Sequence, residues 1–265
     1  MASSLNRYLR SYSRFVKNSI ATELEYRAGF IFKNIAGILW MVGAIFLISV
    51  FFSQASSIGG WSRLEVTMLY VAFSISADIF NVFFRDNLTR FSVLIQKGEL
   101  DWVLLRPINS QFLLTCMTRG IGFDSLFRLI GGFVLLLYFM PEGTSALSVA
   151  LFFTFLLLGL WGVYSVAFLL HTFNIWFVKL DNVTHLSQVS FELSRAPLDS
   201  WSIGMQRFLT YALPMGIMTT FAVRALFSRT TMIDLVVAIG VGIVLSVLTQ
   251  SFWRFALRHY SSASS

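Results

Sequence analysis

The first candidates for chemistry are the ionisable residues set inside long apolar runs, Asp78, Asp124 and Arg128. A charge held in hydrocarbon is costly, so such residues mark a pairing, relay or substrate role. Asp124 and Arg128 stand four apart, on one face of a helix, where they can neutralise each other. Asp78 can reach Arg128 or Arg119 from a neighbouring span. The reading is structural pairing near one membrane boundary, with a proton or substrate relay as its rival. A proton-driven carrier would show several carboxylates near the midplane, and none is clearly placed there.

Other reactive side chains point to no catalysis. The three histidines, His171, His185 and His259, have no partners at metal-ligand spacing. The single cysteine, Cys116, allows no intrachain disulfide and reads as a packing residue. No Gly-rich loop ends in Gly-Lys-Ser or Gly-Lys-Thr, and no Ser stands in a Gly-x-Ser-x-Gly context. The chain is therefore expected to hold no catalytic residue, cofactor or metal, and to be no enzyme by itself.

These residues need elements to position them, and composition says which. Of 265 residues, 56% are hydrophobic and 12% charged, against about 25% charged in soluble domains. That balance fits an all-α integral membrane protein. The net charge of +7 is spread beside apolar runs, which argues against nucleic acid and for membrane orientation. A bilayer core of about 30 Å takes roughly 20 helical residues, and six spans result, at 34–53, 64–84, 118–140, 147–170, 174–196 and 232–253. Residues 1–33 read as an interfacial amphipathic helix, Leu5, Tyr8, Leu9, Tyr12, Phe15 and Val16 recurring at helical steps among Arg and Lys. It is expected to lie against membrane lipid, and the long run after it reads as a retained span, not a secretory signal. With the N-terminus inside, Arg63, Arg195, Arg207, Arg224 and Arg229 fall outside, Arg128 lies within a span, and the other 14 of 20 Lys and Arg fall inside. Both termini are thus expected in the cytoplasm.

Within this single transmembrane domain, 34–84 holds spans one and two, 113–196 spans three to five, and 231–265 span six with a tail. Residues 197–230 are broken by Pro214 and Gly216 and read as a re-entrant pair on the outer side, which keeps the span number even. Ala238, Gly242 and Ser246 form a small-residue row on span six. Residues 85–112 form a cytoplasmic connector. Leu88, Phe91 and Ile95 mark an apolar face, Gly98 breaks the helix, Glu99 and Asp101 open a second short turn, and Pro107 stops it. Such an elbow suits insertion into a partner's groove as well as rest on the membrane.

The run Gly98-Glu99-Leu100-Asp101 with Leu104-Leu105-Arg106-Pro107 resembles the hallmark of bacterial ABC-2 type permeases. So does the end of the chain, Phe252-Trp253 with Leu257 to Ser264, as do Arg195 to Asp199 and Leu213-Pro214. Tyr is more usual than Ala196, and Pro more usual than Ala222. The resemblance implies an exporter subunit of the bacterial cytoplasmic membrane, with six spans and a coupling helix. It implies pairing with a second permease, identical or homologous, and with two ABC ATPase subunits that bind the ATP and Mg. It implies an ATPase-coupling interface at Arg90, Phe91, Leu94, Lys97, Gly98, Glu99, Leu100, Asp101, Leu105, Arg106 and Pro107. An outer re-entrant gate would form around Pro197, Pro214 and Gly216. The alternatives are an ion- or proton-coupled secondary carrier and a non-transporting membrane scaffold.

Overall fold

In the computed structural model, the structure describes Lys17 and residues 27–116, 125–177 and 191–260. The interfacial helix expected before residue 27 lies outside these residues except for Lys17. Helix α1, Arg27–Phe51, runs straight through the expected boundary at residue 33. It is apolar nearly all round and mostly unburied by its own chain, with Phe32, Leu39, Trp40, Phe46 and Leu47 exposed. A helix of that kind is stable only against lipid or another chain.

A reciprocal cap starts α2, Arg63–Phe80. The Ser62 backbone N–H donates to Glu65 Oε2 at 2.7 Å, while Glu65 N–H donates to Ser62 Oγ at 3.5 Å. The helix does not stop at residue 84 as expected. It widens into a π turn, Asn81–Arg85, and continues as α3, Asp86–Gln96. The joined helix has 34 residues and is about 51 Å long, so about 20 Å of it exceeds a hydrocarbon core of about 30 Å. Gly98, at φ 68°, supplies the left-handed turn that reverses the chain. Two short helices follow, α4 (Leu100–Leu104) and α5 (Ser110–Cys116).

Helix α6, Leu126–Phe139, is the part of the expected third span that is described, and α7, Ala146–Thr172, is the fourth. A 3-10 turn, Phe173–Ile175, ends α7. Most of the expected fifth span lies outside the described residues. After Phe191 come two further 3-10 turns, then α8 (Ile203–Arg207) with a π turn to Ala212. A second π turn, Ile217–Phe221, leads into α9, Ala222–Leu226. Finally α10, Met232–His259, starts on a Thr231–Asp234 capping box. Apart from a lone bridge between Ile58 and Trp61, the regular structure among the described residues is helical.

By length and apolarity four described helices can cross a membrane, Ala28–Phe51, Arg63–Gln96, Ala146–Ile175 and Met232–His259. The limbs Ile203–Ala212 and Ile217–Leu226 meet at 87° across Leu213 to Gly216, and would make a fifth if the bent pair were one span.

The core is built on α2, α7 and the second limb of that pair. Gly159 and Gly162 of α7 are notches. A Cβ on Gly159 would meet the Met218 backbone, and one on Gly162 would meet the Pro214 ring. The limb can thus sink against α7, where Ile217, Met218, Thr219 and Thr220 are all buried. On the adjoining side α10 packs along α7. Ala238 and Gly242 of the small-residue row are buried there, and Trp161 Nε1 donates to Ser246 Oγ at 2.7 Å. The row's neighbour is therefore a helix of the same chain.

Replacing Gly159 with Leu should lower the melting temperature in detergent by several degrees, since overpacking costs about 1–3 kcal/mol and the obstacle here is backbone. Gly240→Leu, where a Cβ meets nothing within 4 Å, should leave it nearly unchanged. Equal melting of the two variants would refute the notch.

Candidate functional site

Three groups of residues stand out, spaced along the long axis of the bundle. The first surrounds the membrane charges. Arg128 enters from α6 and meets Asp78 of α2, Nη2 lying 3.0 Å from Oδ1 and Nε donating at 3.1 Å. Its Nη2 also donates to Ser125 Oγ at 2.7 Å. The aspartate is buried and the arginine side chain partly exposed. Arg128 passes α1 only because Gly37 is there; a Cβ at that position would strike its side-chain methylenes. The expected Asp78–Arg128 contact is thus present, while Asp124 lies outside the described residues. Beside this pair opens a cavity of about 410 Å³. Trp40 and Met41 of α1 line it, with Tyr70, Phe73 and Asp78 of α2, Arg85, Arg128, and Phe191, Glu192 and Arg195. Arg195 holds Glu192 at 2.7 Å and lies 4.9 Å over the Phe73 ring. Sequence reading found Asp78 and Arg128. It missed Glu192 and Arg195 as part of the same space, because 113 residues separate Asp78 from the Phe191 wall.

The second group is the elbow after α3. Phe91, Leu94 and Leu100, all expected at a partner interface, are buried in the chain's own core. Phe91 stacks on Phe168 at 5.4 Å and meets Trp253 edge-on at 5.6 Å. These three therefore anchor the elbow and present no surface to a partner. Lys97, Leu105, Arg106 and Pro107 are exposed, and Arg90, Gly98, Glu99 and Asp101 partly so. Arg90 lies 3.6 Å from Glu99. Trp102, 73% exposed, stands one helical turn before Leu105, 78% exposed, and completes an outward apolar face. The signal for Trp102 was its i, i+3 spacing to Leu105. The chain's end returns here: Tyr260 lies beside Asp101, and burial first, then that carboxylate, raise its phenol pKa. Trp253 Nε1 donates to Ser110 Oγ at 3.2 Å. The Gly98–Pro107 run and the described part of the closing run thus meet in space.

A buried polar knot lies close by, Ser92 Oγ 2.7 Å from His171 Nδ1, with Asn174 Nδ2 donating to the same hydroxyl. Among the described residues no group of three or more His, Cys, Asp or Glu is placed to hold a metal. His185 lies outside them, and His259 faces the Phe255 carbonyl at 3.0 Å.

The third group is at the opposite end. Asp199 takes both oxygens to Arg224 Nη2 at 2.7 Å and accepts from Trp61 Nε1 at 2.8 Å. Burial pushes the Asp199 pKa up, but the hydrogen bonds of Arg224 and Trp61 and the Arg224 charge outweigh it, and the net shift is downward. Arg229 meets the buried Glu65 at 2.6 Å. Pro197, Pro214 and Gly216 are all buried here, and Gly216 gives way to the Leu198 side chain. Sequence reading placed the prolines and Gly216 but not Trp61, Asp199 and Arg224, which only the fold joins.

A bundle of long apolar helices with a paired charge in its interior is that of a polytopic membrane protein. The family model for ABC-2 family transporter proteins matches residues 38–264. The chain belongs to that family, as a membrane component of an ABC transporter. No curated protein and no solved structure matches it.

Removing one partner of a buried ion pair costs about 3–5 kcal/mol. Asp78→Asn should therefore melt well below the wild type, and Asp78→Asn with Arg128→Met should recover part of the loss. The cap around Asp199 has a definite pH sign. A carboxylate with a lowered folded pKa stabilises above its unfolded value of about 3.9 and loses that stabilisation as pH falls through the folded one. Melting curves from pH 7 to pH 3 should show the wild type falling more steeply at the acid end than Asp199→Asn; parallel curves would remove Asp199 from the ledger.

Proposed function

We propose that the chain is the membrane-spanning permease subunit of an ATP-driven exporter, its motor being two copies of a separate ABC ATPase. Membership of the ABC-2 family supports this, and the elbow carries it: an apolar pair, Trp102 and Leu105, rimmed by Arg90, Lys97, Glu99, Asp101 and Arg106. That surface is fixed from behind by Phe91, Leu94 and Leu100. A rigid, protruding, apolar-centred patch suits a groove on a partner protein. ATP and Mg belong to that partner, and the chain contributes no catalytic group.

In this reading the chain crosses the membrane six times, with both termini and the elbow on the cytoplasmic side. The described helices leave room for such a path. Phe173–Ile175 lies at the elbow end and Asp199 at the other, as this reading requires. The bent pair is then a re-entrant element on the outer side, its 87° break seated on α7. The setting is the bacterial cytoplasmic membrane. A second permease subunit, identical or homologous, completes the membrane part of the assembly. ATP binding draws the ATPases together and moves the elbow, and the joined α2–α3 helix carries that motion inward.

Replacing Trp102 and Leu105 each with Asp, which puts charge into the apolar pair, should cut ATPase association by about tenfold or more with insertion intact, as should charge reversal by Glu99→Lys with Asp101→Lys. Copurification and ATP-driven flux in vesicles are the readouts. Tags beside Lys97 that label from outside the cell, or unchanged association in both variants, would end this assignment.

A further inference from the structure

We infer that the cavity between α1, α2 and Arg195 is a binding site for an anionic amphiphile, an apolar chain ended by a phosphate or carboxylate, reached sideways from the bilayer past Trp40. As a binding site it stands on its own geometry. As the start of the export path it rests on the permease reading.

Its volume of about 410 Å³ falls within the range of about 300–1,000 Å³ typical of small-molecule sites. Its walls are of two kinds. Trp40, Met41, Tyr70, Phe73 and Phe191 offer apolar and aromatic surface suited to a hydrocarbon chain. The polar part holds the guanidinium groups of Arg85, Arg128 and Arg195 against the carboxylates of Asp78 and Glu192. Those carboxylates are already held, Asp78 by Arg128 at 3.0 Å and Glu192 by Arg195 at 2.7 Å, so a cationic head would compete with arginine for each.

Arg195 supplies the second observation. Its Nε is buried and has no hydrogen-bond acceptor, although its Nη atoms bind Glu192 and its plane lies over Phe73. A buried, charged N–H without an acceptor is costly and uncommon. An anionic oxygen relieves it best once the guanidinium, whose Nε has almost no accessible surface, turns toward the cavity, because a hydrogen bond between charged partners is the stronger kind.

Access follows from α1. Trp40 lines the cavity and is also 66% exposed on the apolar outer face of that helix. An indole bridging a cavity wall and a lipid-facing surface marks a side opening, and an amphiphile dissolved in the bilayer would find it without crossing water. Neither an inorganic anion nor a neutral detergent combines the two features that the walls match.

The full chain in phosphatidylcholine nanodiscs, labelled by a diazirine-bearing dodecyl phosphate and mapped by peptide mass spectrometry, tests the site without any ATPase. The expected result is labelling at residues around Trp40, Met41 and Tyr70, competed by dodecyl phosphate. Dodecyltrimethylammonium, dodecyl maltoside and inorganic phosphate should compete at least about tenfold less well. Arg195→Gln should weaken labelling by a similar factor, and Trp40→Leu, a lipid-facing change that leaves the charges in place, should slow it. Competition by phosphatidylglycerol would identify the amphiphile as a resident lipid, and its failure to compete would identify a foreign one; either supports the site. Labelling competed equally by the cationic amphiphile, or by inorganic phosphate alone, or falling outside these helices, would overturn it. Because the wild type alone distinguishes anion from cation, a misfolded variant cannot decide the matter. ATP-driven flux of the same probe is a separate measurement: anion-selective labelling without flux would sink the permease reading and spare the site, while flux of other cargo without labelling would do the reverse.

Discussion

Inside a bilayer a backbone N–H or C=O has no water to turn to, so irregular chain survives there only where protein closes around it. In the proposed topology the 87° break at Leu213 to Gly216 is subject to that constraint. It is met by α7, whose Gly159 and Gly162 allow the Met218 backbone and the Pro214 ring to approach closely. With those side chains absent, the second limb is buried almost throughout, from Pro214 to Val223. The rest is arranged around the resulting wedge: α10 lies on the adjoining side of α7, α2 packs against the same limb, and Asp199 and Arg224 fasten its outer edge.

The parts of the fold written locally were legible in the sequence. Gly98 ended a helix because its φ is positive, and Glu99 and Asp101 opened the next one. Arg128 and Asp78 were legible as a pair since charges in hydrocarbon have few alternatives to each other. The small-residue row of α10 was recognisable as a packing face, but its partner was not, because Ala238 and Gly242 carry no mark of the helix they meet. Span limits were read less well. A change from apolar to polar composition near residue 84 does not end a helix whose backbone bonds continue, and the helix from Arg63 reached Gln96.

What stayed hidden was whatever distant chain brings together. Gly37 is one glycine among several in α1 until Arg128 is laid across it. Trp61, Asp199 and Arg224 come from three separate stretches. Phe91, Leu94 and Leu100 fit the amphipathic pattern of a docking helix equally well whether that face meets a partner or the chain's own core. Burial decides it, and the pattern alone contains no burial.

The π turn at Asn81–Arg85 has a geometric consequence. An α-helix advances about 100° per residue, so one extra residue accommodated in a wide turn rotates everything beyond it by about that angle. The azimuth at which Trp102 faces outward, relative to the aspartate three residues before the turn, is thereby set by the residue count of a single coil of backbone rather than by side-chain chemistry. Were the same residues wound as regular helix, the protruding end would swing around the helix axis like a key turned in its barrel, leaving both halves of the helix intact.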